Sequence, residues 1–117
     1  MPIMSPEVIV DVSGTKFPVK VYYSTADKCV WVEGNAVVQS EDYKYLNGYS
    51  FSAKVYAKVY DGPSTFGING GRICKLYVRD ISANTEVIGY DCEWYCEPQC
   101  PWDIAVLEAL LTIFKHC

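Results

Sequence analysis

Residues 49–60 read "YSFSAKVYAKVY". Phe51, Ala53, Val55, Ala57 and Val59 alternate with Ser52, Lys54, Tyr56, Lys58 and Tyr60. A helix, with 3.6 residues per turn, would scatter both sets around its surface. A strand puts one set on each face. This segment therefore demands a strand with an apolar side buried and a Lys/Tyr side in water. That is the pattern of an antiparallel sheet covered on one face only.

The rest of the chain supplies partners for that strand. "EVIVDV" (7–12) and "KFPVKVYY" (16–23) flank a Ser13-Gly14 turn signal, and Pro18 marks the second run as an edge strand or a strand start. "STADK" (24–28) reads as a turn, "CVWVE" (29–33) as a strand, and Gly34-Asn35 as a turn into "AVVQS" (36–40). "EDYKYLNG" (41–48) is turn-like, and "DGPSTFGINGG" (61–71) is a glycine-rich loop. "RICKLYVRD" (72–80) is a strand, "ISANTE" a turn and "VIGYDCEWY" (87–95) a further strand.

The C-terminal segment changes period. Trp102, Ala105, Val106, Ala109, Leu110, Ile113 and Phe114 fall at helical spacing and form one stripe. Pro101 suits the first turn, where its missing N–H costs nothing. Asp103 near the start and Lys115 near the end both complement the helix dipole. The expected fold class is α+β: an antiparallel meander of six or seven strands. One C-terminal amphipathic helix covers the face built by Phe51, Ala53, Val55, Ala57 and Val59.

At 117 residues the chain fits a single domain, long enough to bury a core without staples. The start "MPIMSPEVIVDVSG" lacks a basic n-region, and Glu7 and Asp11 break its apolar run. The apolar stretch Ile104–Phe114 is too short to span a bilayer. A cytoplasmic protein without a membrane role is expected. Its six cysteines then read as free thiols or metal ligands before they read as disulfides. The net charge of −4 argues against a dedicated nucleic-acid binder.

One resemblance adds to this. A Gly-aromatic-x-Phe start at Gly48–Phe51, then "PSTFGINGGRICKLYVRD", leads to Tyr90-Asp91, Trp94, Pro98 and a closing helix. Together these resemble a family of small uncharacterised proteins of phages and Gram-positive bacteria. The likeness runs over about residues 46–114. It implies a compact sheet with a C-terminal helix in a phage or mobile-element setting, and no assigned activity. Residues 1–45 stand outside it as an N-terminal β-hairpin extension, with 46–117 as the family-like part. The family usually carries other residues where this chain has Cys74, Cys92, Cys96 and Cys100.

Four groups of residues are candidates for chemistry. Cys92, Cys96 and Cys100 recur every four residues, a spacing unlike the C-x2-C pair of zinc modules, and Pro98 and Pro101 argue against a helix that would align them. Zinc would need loops that converge on Cys74, His116 or Cys117; idle thiols are the plainer reading. The loop "STFGINGGR", with Phe66, Asn69 and Arg72, has glycines that can cradle a phosphate, but it lacks the Gly-Lys-Ser/Thr end of a P-loop and leads into a strand. Its plainer reading is a tight connection with Ile68 and Phe66 on the core. Asp91 and Glu93 would share a strand face, which suits acid–base work only inside a cleft.

The fourth group is the wet face of the alternating strand: Lys54, Tyr56, Lys58 and Tyr60, with Lys20 and Tyr22 alongside. Lysines over phosphates and tyrosines under bases make a single-strand platform. The same residues make a protein contact surface or a solvated face whose lysines discourage edge pairing. No catalytic set can be assembled around the single His116. The sequence therefore points to a non-enzymatic protein-binding module without a cofactor. Its partner surface is Lys54, Tyr56, Lys58, Tyr60, Phe66, Asn69 and Arg72, and an inhibitor of a host defence nuclease, in the manner of an anti-CRISPR, is the sharper expectation. A nucleic-acid or nucleotide binder and a small zinc module are the alternatives.

Overall fold

The computed structural model describes residues 3–4, 7–26, 31–38, 51–59 and 67–114. Eight strands and one α-helix follow in chain order: β1 (Ile3–Met4), β2 (Val8–Val12), β3 (Thr15–Ala26), β4 (Trp31–Val38), β5 (Phe51–Val59), β6 (Ile73–Asp80), β7 (Thr85–Asp91), β8 (Trp94–Cys96) and α1 (Pro101–Ile113), with a single 3-10 turn at Ile68–Gly70 before β6. All strands belong to one antiparallel sheet in the order β1-β3-β4-β5-β6-β7-β8, with β2 also paired to β3. This is the α+β meander with a C-terminal helix that the two hydrophobic periods require.

Alternation fixes the faces. Phe17, Val19 and Val21 on β3, Val32, Ala36 and Val38 on β4, and Ala53, Val55, Ala57 and Val59 on β5 are buried. Cys74, Leu76 and Val78 on β6 and Ile88 on β7 complete that face. Ala105, Val106, Ala109, Leu110 and Phe114 of the helix close over it. The helix backbone approaches β2, β3 and β4 on one flank and β7 on the other. Strands from both sides of the sheet reach it because a twisted sheet coils around what it covers. β5, expected directly under the helix, is not among the strands whose backbone lies nearest it, although its alanines join the same core.

Three sequence expectations are corrected. The turn expected at "STADK" begins too early, because β3 continues through Ala26, paired to Trp31 of β4. Gly34-Asn35 is no turn, since β4 runs unbroken from Trp31 to Val38. A side chain at Gly34 would strike the Tyr22 carbonyl oxygen, and its Cβ would lie 2.6 Å from Tyr23 Cα. The glycine permits a close backbone approach between β3 and β4 rather than a reversal. Third, the single strand over 87–95 is a hairpin. β7 ends at Asp91, Cys92 takes φ +62°, and β8 returns from Trp94. Asp91 N–H donates to the Glu93 carbonyl, and Cys92 N–H to that of Cys74.

Pro18 falls where the topology tolerates it. Pairing of β3 with β4 stops at Val19, so Thr15–Pro18 has only β2 as a described neighbour. The expected turn at 41–48 lies outside the described residues.

Candidate functional site: the outer face of the central strands

The face of the sheet turned away from α1 is built by register. Lys54, Tyr56 and Lys58 of β5 stand directly opposite Arg79, Tyr77 and Lys75 of β6. The two strands thus present a grid: a tyrosine pair, with one cross-strand cation pair above it and another below. Lys54 and Lys58 are about 13 Å apart along the strand, from four residues of strand rise. β5 and β6 carry no acid on this face. Acids stand on the flanking strands: Glu33 opposite Tyr56, Asp91 opposite Lys75 and Glu86 opposite Arg79.

The tyrosines belong to a longer row of rings. Trp31 of β4 meets Tyr56 at 5.3 Å between centroids, Tyr56 meets Tyr77 at 6.3 Å, and Tyr77 meets Tyr95 of β8 at 6.5 Å. All three pairs are tilted and within the range of attractive aromatic contact. Tyr95 reaches the row because Gly89, the β7 residue opposite Tyr77, has no side chain; a Cβ there would fall on the Tyr95 ring. Tyr56 and Tyr95 remain 42% and 56% exposed, so much of the row faces water.

Three of the four cations are each held differently. Lys58 Nζ lies 5.5 Å from the Trp31 ring centroid, within cation–π reach. Lys75 Nζ is 3.4 Å from Asp91 Oδ1, and that hydrogen bond and charge raise the Lys75 pKa. Arg79 donates from Nη1 to the Asn84 carbonyl at 3.2 Å and to Asn84 Oδ1 at 3.3 Å. Desolvation of the Tyr95 hydroxyl, and then its hydrogen bond to Glu86, push its pKa up to about 12. Tyr95 is therefore a neutral hydroxyl donor across the physiological range.

Of the residues singled out from sequence, the structure brings together Lys54, Tyr56 and Lys58. It adds Trp31, Lys75, Tyr77, Arg79 and Tyr95, which the sequence reading missed. The missing signal was a second alternating run: "KLYVR" (75–79) repeats the cation-x-Tyr-x-cation order of "KVYAK" (54–58). Tyr60 and Phe66, and the side chain of Asn69, lie outside the described residues. Arg72 immediately precedes β6 and is half-buried. At the end of the glycine-rich connection, Gly70 N–H donates to the Gly67 carbonyl and Gly71 N–H to that of Ile68. Those two N–H groups are spent on the turn, and Ile68 is buried in the core as expected.

The cysteines sit in three different settings. Cys92 is exposed in the β7–β8 turn, Cys96 ends β8 with its Sγ 3.7 Å from the Glu86 carbonyl oxygen, and Cys100 is the N-cap of α1. Cys74 is buried on β6. Among the described residues no group of three or more His, Cys, Asp or Glu is placed to hold a metal ion. Cys29, His116 and Cys117 lie outside them. Asp91 and Glu93 are both exposed, and Glu93 is in the turn. No described helix is long and apolar enough to cross a membrane.

One acid behaves unexpectedly. Asp103 is 3% exposed, and its Oδ1 has no hydrogen-bond partner among the described residues. Burial pushes its pKa up to about 6; the Cys100 backbone N–H opposes the shift, Asp80 adds to it and the Cys100 thiol opposes it. The bond from the Cys100 N–H is half of a capping box, in which the third helical residue reaches back to the N-cap.

No curated protein matches the chain, and no solved structure does. A family model matches residues 30–115, a span that takes in β4 to α1 and with them the ring row and the cation grid. Over that span, most of its length, the chain belongs to the family described as a domain of unknown function (DUF7678).

Proposed function

We propose that this protein is a non-enzymatic binding module whose outer sheet face takes single-stranded nucleic acid. The observation that carries this reading is the grid on β5 and β6. Like charges directly opposite one another on neighbouring strands destabilise a sheet. Here Lys54 faces Arg79 and Lys58 faces Lys75, on either side of the Tyr56–Tyr77 pair. Asp91 beside Lys75, Glu86 opposite Arg79 and the Trp31 ring beside Lys58 offset part of that repulsion, and a polyanion with flat bases would offset it further. Phosphates lie against the cations, and bases lie on the rings. The acidic net charge of −4 is a property of the whole chain, and charge on the contacting face governs local attraction.

The test is fluorescence anisotropy with a labelled oligothymidylate. Binding is expected at low salt, weakening as salt rises. Tyr56→Ala with Tyr77→Ala should weaken it at least tenfold, by the loss of stacking. Absence of binding at low salt, or binding indifferent to the double substitution, defeats the reading.

A protein partner is the second reading, with inhibition of a host defence nuclease by a phage-borne protein as its sharpest form. What favours it is the border of Glu33, Glu86 and Asp91 around the ring row, a mixed-charge, aromatic surface of the kind protein interfaces use. It predicts a partner retained from nuclease-treated host lysate and lost with the same two tyrosines. Retention of that partner by the double variant would rule the surface out.

A further inference from the structure

A shallow cavity of ≈ 270 Å³ opens on the grid, lined by Lys54, Tyr56, Tyr77, Val78, Arg79 and Glu86. The space is small for a whole cofactor and suits one planar ring. Three chemistries meet there: two aromatic rings, two cations and one carboxylate.

The carboxylate is placed by a fault in the sheet. Register between β6 and β7 shifts between Val78 and Arg79, which sets Glu86 opposite Arg79. Glu86 accepts a hydrogen bond from the Tyr95 hydroxyl, and Tyr95 titrates too high to lose that proton. A carboxylate offers about four acceptor positions, so one bond from Tyr95 leaves capacity for a bidentate ligand. Arg79 is tethered by Nη1 to Asn84, which holds its guanidinium at the same end of the grid.

We propose that this cavity reads a guanine base in a single strand; the inference rests on the nucleic-acid reading of the face. The ring lies against Tyr56 and Tyr77. The N1–H and the 2-amino group donate side by side to the Glu86 carboxylate, and a flanking phosphate meets Lys54. Guanine alone among the common bases carries two adjacent donors on its Watson–Crick edge. Adenine and cytosine offer one amino group there, and thymine and uracil one imide N–H. Single strands expose that edge for such recognition. A cationic platform without Glu86 would prefer bases only modestly, by stacking strength, and would have no hydrogen-bond reason to choose guanine over adenine.

The experiment compares oligothymidylates of equal length carrying one central guanine, adenine or inosine, titrated against the native protein and against Glu86→Gln and Glu86→Asp. The readout is the ratio of affinities within each protein, which does not depend on how much of it is folded. Guanine is expected to exceed adenine by about tenfold, in keeping with one good bidentate contact. Inosine, which keeps N1–H but lacks the 2-amino group, should fall between them. Glu86→Gln should bring the guanine-to-adenine ratio close to one, and Glu86→Asp should keep part of it. A ratio near one in the native protein, or a ratio that Glu86→Gln preserves, overturns the base pocket and leaves the platform standing. Failure of every oligonucleotide to bind overturns the platform, and the pocket with it.

Discussion

The two faces of β5 and β6 are made from the same nine- and eight-residue strands and obey different rules. The inner face places Val55 opposite Val78 and Ala57 opposite Leu76, all fully buried. Those four side chains belong to the same core as α1. The outer face places cation opposite cation, a choice that costs stability. The inner face follows packing, and the proposed binding role would account for the like-charged pairs on the outer one. That contrast, more than any single residue, is what singles out the outer face as the proposed binding surface.

The contrast can be broken by mutation. Leu76→Ala on the inner face should cost about 3 kcal/mol by lost transfer energy and a residual cavity, measured by chemical denaturation. If it costs less than the outer-face changes, the assignment of faces is wrong. Next in size is a pH effect centred on Asp103, inside the core. Its pKa is about 6 when folded and 3.8 unperturbed. The folded state therefore favours the neutral acid. The resulting stabilisation is complete below the unfolded value and is lost as pH rises through about 6. The protein should be more stable at pH 5 than at pH 7.5 by about 1 kcal/mol from this group. Asp103→Asn should flatten that difference in thermal melts at the two pH values, and an unchanged slope would assign it elsewhere.

The outer face should respond weakly in stability. Tyr56→Ser is expected to cost less than about 1 kcal/mol, the scale of a cross-strand pair, although it strikes the proposed binding surface. A larger loss would make the ring row structural and weaken the contrast. Smallest of all, Lys54→Gln should stabilise the fold by a few tenths of a kcal/mol, by relieving repulsion from Arg79. The same change should weaken oligonucleotide binding. A stabilised variant with impaired binding is the outcome that folding alone does not produce; a destabilised one would mean Lys54 is there for the sheet.

Legibility followed the range of the interaction. The alternation at 51–59 and the helical stripe at 102–114 set burial locally, and both elements were readable from spacing. Gly34 and Gly89 were not. Each is a glycine in a strand, but one makes room for the backbone of Tyr22 and Tyr23, and the other for the ring of Tyr95. Neither neighbour is close in a way that spacing announces. Asp103 was readable as an N-terminal acid that suits the helix dipole, but not as a buried one. Its burial depends on how the helix start meets the sheet, and its raised pKa depends on that burial and then on the nearness of Asp80. Half of the site, Lys54, Tyr56 and Lys58, lay on the strand the sequence declared most clearly. The other half needed strand pairing to be recognised as its partner.

The sequence by itself determined that a strand with an apolar and a Lys/Tyr face, and a helix with one apolar stripe, must share a core. Hydrophobic period is a local quantity, and it leaves those two elements no other way to shed water from their apolar sides. Only the tertiary structure decided which residues stand beside them. Register between strands is settled by the whole sheet, and a shift of one residue would have sent every side chain to the opposite face. That register put Lys54 beside Arg79, Tyr56 beside Tyr77 and Tyr95 over Gly89. It turned two ordinary strands into one surface.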